Sequence, residues 1–169
     1  MATVHLGLGS NLGDRLTTLR RAVEELSTVG ELLATSSIYE TAPFGLTQQP
    51  TFLNSCVAIE TGLTPREILE RTRTIEKALG RVDGPRWGPR AIDIDLLLYG
   101  DVSLTERDLV VPHPGLLERA FALVPLAEIA ADRVIPSTGL TVAEALARVA
   151  RQPGDVRRAA APPVRRDAR

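Results

Sequence analysis

The sequence holds a single cysteine, Cys56, in 169 residues. One thiol excludes an intrachain disulfide framework and any zinc site built on paired cysteines. Long apolar runs are also missing, and none approaches the roughly 18–20 residues of a membrane span. The N-terminus lacks the charged, apolar and cleavable order of a signal peptide, so a soluble, cytoplasmic protein with no membrane partner is expected. No sign of charge dominates. Lys+Arg number 20 against 21 Asp+Glu, a net charge of −1, which argues against nucleic acid held through the protein's overall field. Lysine is nearly absent: only Lys77 among the 20 basic residues is not arginine. Codon bias alone accounts for such a count, so the position of each arginine has to carry the argument.

At roughly 100–200 residues per domain the chain makes one domain, able to bury its own core. Residues 3–9 predict a buried strand, closed by the Gly- and Asn-bearing turn at 9–14. Leu16, Leu19, Val23 and Leu26 recur at helical spacing behind Asp14, a candidate cap. A second strand is predicted near Leu32–Tyr39, then a loop from Glu40 to Pro50, then a third strand over Leu53–Thr61. Thr64-Pro65-Arg66-Glu67 has the layout of a helix start, and the apolar positions behind it run to Gly80. A polar loop, Arg81–Arg90, leads to an interior strand over Ile92–Tyr99. The order β-α-β-β-α-β is the split βαβ, ferredoxin-like plan of an α+β protein. Residues 121–130 and 141–150 predict added helices, so the folded domain is expected over 1–150. The tail 151–169 carries six Arg against two Asp and four Pro or Gly, and is expected to be disordered.

The strongest chemical signal lies in the fourth strand. Side chains two apart on a strand share a face, so Asp93 and Asp95 point one way while Ile92, Ile94 and Leu96 point the other. Two acids in an apolar strand need a cationic partner. Mg²⁺ held by carboxylates and substrate phosphates is one such partner, and an arginine-paired structural cluster or a solvated face is the other. The preceding loop carries Arg81, Arg86, Trp87 and Arg90 among glycines and prolines, a composition suited to a mobile clamp on an anionic substrate or to a plain solvated loop. His113, between Pro112 and Pro114, sits on a stiffened backbone from which it can donate to a phosphate or simply close a turn. Phe44 and Phe52 with the Asn54 amide can sandwich and bond a flat heterocycle, or pack as core. His5 and Cys56 read as packing residues. The run Gly7-Leu8-Gly9-Ser10-Asn11-Leu12-Gly13 is not a dinucleotide turn, because Leu12 stands where the third glycine belongs.

Taken together these segments resemble the 6-hydroxymethyl-7,8-dihydropterin pyrophosphokinase family. The words that carry the resemblance are Gly-Ser-Asn-Leu-Gly at 9–13, Tyr-Glu-Thr-Ala-Pro-Phe-Gly at 39–45 and Phe-Leu-Asn at 52–54. The most specific is Arg86-Trp87-Gly88-Pro89-Arg90-Ala91-Ile92-Asp93-Ile94-Asp95-Leu96, followed by Val111-Pro112-His113-Pro114. The resemblance, over about residues 3–150, implies pyrophosphoryl transfer from ATP to the pterin's hydroxymethyl oxygen in folate biosynthesis. It implies two Mg²⁺ ions on Asp93 and Asp95, with Arg81 and Arg90 as catalytic partners. Thr41, Ala42, Pro43, Phe44, Phe52, Asn54, Trp87 and Phe121 would surround the pterin. Glu76, Arg81, Arg86, Trp87, Arg90, Leu96, His113 and Arg119 would contact ATP. A monomer acting on small molecules is the default expectation. Departures fall at Asp83 and Asp108, where some family members carry arginine, with Arg107 one place away from the second, and at Val110. Two competing readings stay open here: a regulatory module that binds a heterocycle without chemistry, and a metal-dependent phosphohydrolase that uses water as acceptor.

Overall fold

The computed structural model describes residues 1–43, 48–84 and 88–163. Strand β1 (Ala2–Ser10) is followed by helix α1 (Arg15–Glu25), which starts where Asp14 accepts a hydrogen bond from the Thr17 amide at 3.1 Å. Two short strands, β2 (Glu31–Thr35) and β3 (Ile38–Thr41), lead to the long strand β4 (Phe52–Thr61). Helix α2 (Pro65–Ala78) opens on a complete capping box between Thr64 and Glu67, with proline in its first turn. Strand β5 (Asp93–Tyr99) completes the predicted ferredoxin-like order. The β6 (Leu104–Glu106) and β7 (Leu109–Val111) hairpin, helix α3 (Ala120–Ala130), the β8 (Val134–Ile135) and β9 (Leu140–Thr141) pair, and helix α4 (Val142–Arg148) follow.

The main sheet is antiparallel in the order β10-β3-β4-β1-β5, where β10 is Val156–Ala160, with β2 also paired to β4. Val4, Leu6 and Leu8 of β1, with Ile59 of β4 and Ile94 of β5, form the core on one face beneath α1 and α2. On the opposite face Cys56 and Leu97 pack with Leu123 and Leu126 of α3. Burial pushes the Cys56 thiol well above its usual range, which keeps it unreactive packing. Among the described residues no helix is long and apolar enough to cross a membrane.

Two sequence expectations need correction. The strand predicted over Leu32–Tyr39 breaks at Ser36 and Ser37. Ser36 Oγ accepts from the Cys56 amide at 2.8 Å, a bond that the continuous ladder would otherwise supply from a carbonyl. β2 therefore pairs with the far half of β4, and β3 with residues 52–54. The tail, expected to be disordered from Arg151, forms β10 (Val156–Ala160), an added edge strand on β3. Its arginines meet acidic and hydroxyl groups there, so a composition that reads as solvated is tied down by pairing.

His5 lies on the α3 face of β1, only 2% exposed, and its Nδ1 has no hydrogen-bond partner among the described residues. Burial, with Arg133 nearby, lowers its pKa to about 4 from the ordinary 6.5. As pH falls below 6.5 the unfolded chain takes up this proton first, so stability declines from there toward pH 4. The His5→Leu variant is expected to gain on wild type by about 2 kcal/mol between pH 7 and pH 4.5, measured by urea unfolding at both values. A difference that does not move with pH would show that His5 is not held neutral.

Candidate active site

The register of three strands builds the site. Gly7 faces Cys56 on β4 and Asp95 on β5, while Gly9 faces Asn54 and Asp93. These residues alternate with the core leucines of β1 and therefore share the α3 face. A β-carbon on Gly7 would stand 3.3 Å from Leu97 Cδ1, and one on Gly9 would stand 2.8 Å from Asn54 Oδ1. The two glycines thus form a side-chain-free floor between carboxylates on one side and an amide on the other. Above it lies a cavity of about 310 Å³, closed in part by His113, Arg119 and Phe121.

At the acidic end Asp93 and Asp95 line the cavity together. Burial, then the neighbouring Asp95, raises Asp93 to a pKa of about 6, while Arg81, Arg90 and Arg119 pull it back. Asp95 is raised as well, chiefly by burial. Arg81 Nη1 is 3.2 Å from Asp93 Oδ1 and also pairs with Glu76. Its aim follows from the end of α2. Gly80, at φ +98°, takes the left-handed turn, and the Arg81 amide returns to the Glu76 carbonyl at 3.0 Å. The Glu76 carboxylate accepts from the Ile94 amide at 3.2 Å, and burial raises its pKa to about 7. The donor set fits a divalent cation. Two carboxylates on one wall supply hard oxygens, and the open cavity leaves the remaining positions to phosphate oxygens and water, as Mg²⁺ requires.

At the other end Phe52 of β4 and Phe121 of α3 line the same cavity with Thr41, Ala42 and Asn54. Asn54 Nδ2 donates to Thr41 Oγ1 at 2.6 Å, which fixes the amide's orientation. The Arg119 guanidinium carbon stands 5.7 Å from the Phe121 ring centroid. His113 is held by its own amide, which donates to the Leu97 carbonyl at 3.0 Å. The Gly115 amide donates to His113 Nδ1 at 3.1 Å, leaving Nε2–H as the ring's donor. Burial, with Arg119 near, keeps this ring neutral by lowering its pKa to about 4.

Of the residues singled out from the sequence, Asp93, Asp95, Arg81, Arg90, Thr41, Ala42, Phe52, Asn54, His113, Arg119 and Phe121 come together around this cavity. Phe44, Arg86 and Trp87 lie outside the described residues. Pro43 is not among the lining residues, and two expected ATP contacts are placed elsewhere. Glu76 is buried behind Arg81, and Leu96 sits in the core on the opposite face because strand side chains alternate. Asp108, where some family members carry arginine, chelates Arg66 of α2 at 2.8 and 2.9 Å and fixes the β6–β7 turn. Sequence reasoning missed the glycine floor and Asn11. The Asn11 Oδ1 accepts from the Arg90 amide at 2.7 Å while its Nδ2 donates to Gln49 and to the Pro50 carbonyl. One buried side chain thereby ties together the two loops that flank the cavity; the Gly-Ser-Asn word was its only signal.

The model of the 7,8-dihydro-6-hydroxymethylpterin-pyrophosphokinase (HPPK) family matches residues 5–131. The 2-amino-4-hydroxy-6-hydroxymethyldihydropteridine pyrophosphokinase of Methylorubrum extorquens is 53% identical over 151 residues, covering 88% of this chain and 94% of its own. The protein of the same name from Bacillus subtilis is 50% identical over 127 residues, covering 74% of this chain and 76% of its own. Plasmodium falciparum HPPK-DHPS, solved in its wild-type form, superposes with a TM-score of 0.69 at 15% identity, a likeness of fold alone. That superposition covers 86% of this chain but 44% of the Plasmodium one, so the chain spans under half the length of that protein. The family's match includes every strand residue that lines the cavity, and the Methylorubrum relative shares half its positions with this chain. The chain belongs to the 7,8-dihydro-6-hydroxymethylpterin-pyrophosphokinase family.

Proposed function

We propose that the protein transfers the pyrophosphoryl group of ATP to the hydroxymethyl oxygen of 6-hydroxymethyl-7,8-dihydropterin and releases AMP. The observation that carries this reading is the single cavity that holds a carboxylate pair at one end and an oriented amide between aromatic side chains at the other. The Asn54 amide, fixed by Thr41, offers both donors and acceptors to the edge of a flat heterocycle, and Phe52 and Phe121 offer ring faces. Arg81, Arg90 and Arg119 supply positive charge for a triphosphate, and neutral His113 adds an Nε2–H donor.

In the reaction the hydroxymethyl oxygen forms a bond to the β-phosphorus. The bond from that phosphorus to the α–β bridging oxygen breaks, the electron pair leaves with AMP, and the hydroxyl proton passes to solvent. Asp93 and Asp95 would hold two Mg²⁺ ions, which when bound neutralise the phosphates and acidify the hydroxyl. Gly7 and Gly9 keep the space between these carboxylates and Asn54 free of side chains. Glu76 keeps Arg81 beside the carboxylates, where it can follow charge that develops on the phosphoryl oxygens. Phosphoryl-type transfer draws most of its rate from alignment and charge neutralisation, which such side chains supply without a dedicated base.

The test is AMP release from ATP and Mg²⁺ with and without the pterin. Pterin-dependent AMP is expected. ATP breakdown indifferent to pterin would make the protein a hydrolase, and pterin binding without AMP would leave a binding module.

A further inference from the structure

The family's match ends at residue 131, yet the chain continues and adds β10 to the free edge of β3. β3 is only four residues long, and its last residue, Thr41, fixes the Asn54 amide. A strand this short with an open edge is a weak support for a binding wall. β10 covers that edge: Val156 pairs with Thr41, Arg157 with Glu40 and Arg158 with Tyr39.

Neighbouring residues on a strand point to opposite faces, so the two arginines of β10 hold β3 from both sides. On the α1 side Arg157 Nη2 donates to Glu40 Oε1 at 2.7 Å. The other Glu40 oxygen is 3.5 Å from Arg15 Nη2, and Arg15 Nη1 donates to both the carbonyl and the hydroxyl of Thr51 at 2.9 Å. Thr51 directly precedes Phe52, the register partner of Thr41. On the α3 side Arg158 Nε donates to Ser37 Oγ at 3.1 Å. Ser37 in turn donates to Glu128 of α3 through its amide at 2.7 Å and its hydroxyl at 2.6 Å. The first relay ends beside β4, which carries Phe52 and Asn54, and the second ends on α3, which carries Phe121. Asp93, Asp95 and Arg81 of the other end are held by β5 and the end of α2 instead.

We propose that β10 is a strap that positions the heterocycle end of the cavity, with Arg157, Arg158 and Glu40 as positioning residues for pterin and not for ATP. This rests on the reaction proposed above. Loosening the strap lets Thr41 and Phe52 move relative to Asn54, which weakens the fit to a flat ring while the phosphate end keeps its geometry.

The experiment is steady-state kinetics on full-length chains carrying Arg157→Gln with Arg158→Gln, Glu40→Gln alone, or Arg157→Lys, each with a thermal melt. The double variant is expected to raise the pterin KM about 5-fold, a size typical of partly exposed ion pairs. Its kcat and its ATP KM should stay within about twofold of wild type, Glu40→Gln should follow the same split, and Arg157→Lys should recover most of the loss. A folded double variant with unchanged pterin KM would overturn the strap. So would pterin and ATP KM rising together as the melting temperature falls, because that marks general loosening. Wild type without pterin-dependent AMP would overturn the reaction and the strap with it, whereas an active wild type with indifferent variants would overturn the strap alone.

Discussion

Asp95→Asn is expected to lower turnover by at least about 1,000-fold while changing pterin affinity by no more than about threefold. The asymmetry follows from where the carboxylate stands. Asp95 faces Gly7 on the acidic half of the floor, whereas the amide and aromatic groups proposed to meet the heterocycle come from β4 and α3. On the reaction proposed above Asp95 is one of two carboxylates that would hold Mg²⁺, so its loss would strip charge neutralisation from the phosphates, which matters most as the β-phosphorus is attacked. The same substitution should not destabilise the fold. Burial, joined at Asp93 by the neighbouring Asp95, holds these carboxyls above their usual range, so at neutral pH their ionised forms oppose folding. Turnover lost at an unchanged or higher melting temperature is the expected signature, read from single-turnover kinetics, pterin calorimetry and a thermal melt. Equal losses in turnover and pterin affinity would contradict the division of the cavity.

Gly9→Ala is expected to weaken pterin binding roughly 30-fold and to leave ATP binding within about threefold. The added β-carbon would stand 2.8 Å from Asn54 Oδ1 and 3.6 Å from Phe52 Cδ1. The phenyl contact is ordinary, but the amide contact is too short, so Asn54 must turn. Turning it breaks the 2.6 Å bond to Thr41 and presents the wrong donor–acceptor order to the ring. Calorimetry with the pterin and with an ATP analogue on the same variant checks the split. An unchanged pterin affinity would mean that Asn54 does not orient the heterocycle.

Much of this architecture was legible because local chemistry and tertiary structure agree. The capping box at Thr64 and Glu67 marks the start of α2, and Asp14 marks that of α1. Alternation along β5 placed Asp93 and Asp95 together, as the structure has them, and equally placed Leu96 in the opposite core. The misses have physical causes. Gly7 and Gly9 fall in the strand predicted over 3–9, where nothing local marks them, and only cross-strand register reveals them as a floor between Asn54 and the acids. The break at Ser36 comes from a hydroxyl that replaces a ladder carbonyl, which no periodicity signals. β10 is an edge strand whose arginines are matched by Glu40 and Ser37 more than 100 residues away. The resemblance put Glu76 among the ATP contacts; in the structure it is buried and braces Arg81.

The most direct measurement follows one atom. Pterin labelled with ¹⁸O in its hydroxymethyl group is incubated with the wild-type protein, ATP and Mg²⁺, and the products are weighed by mass spectrometry. Attack by that oxygen on the β-phosphorus predicts a pterin diphosphate that retains the label, together with unlabelled AMP. A pterin monophosphate with ADP, or free phosphate with the labelled pterin unchanged, would contradict the account.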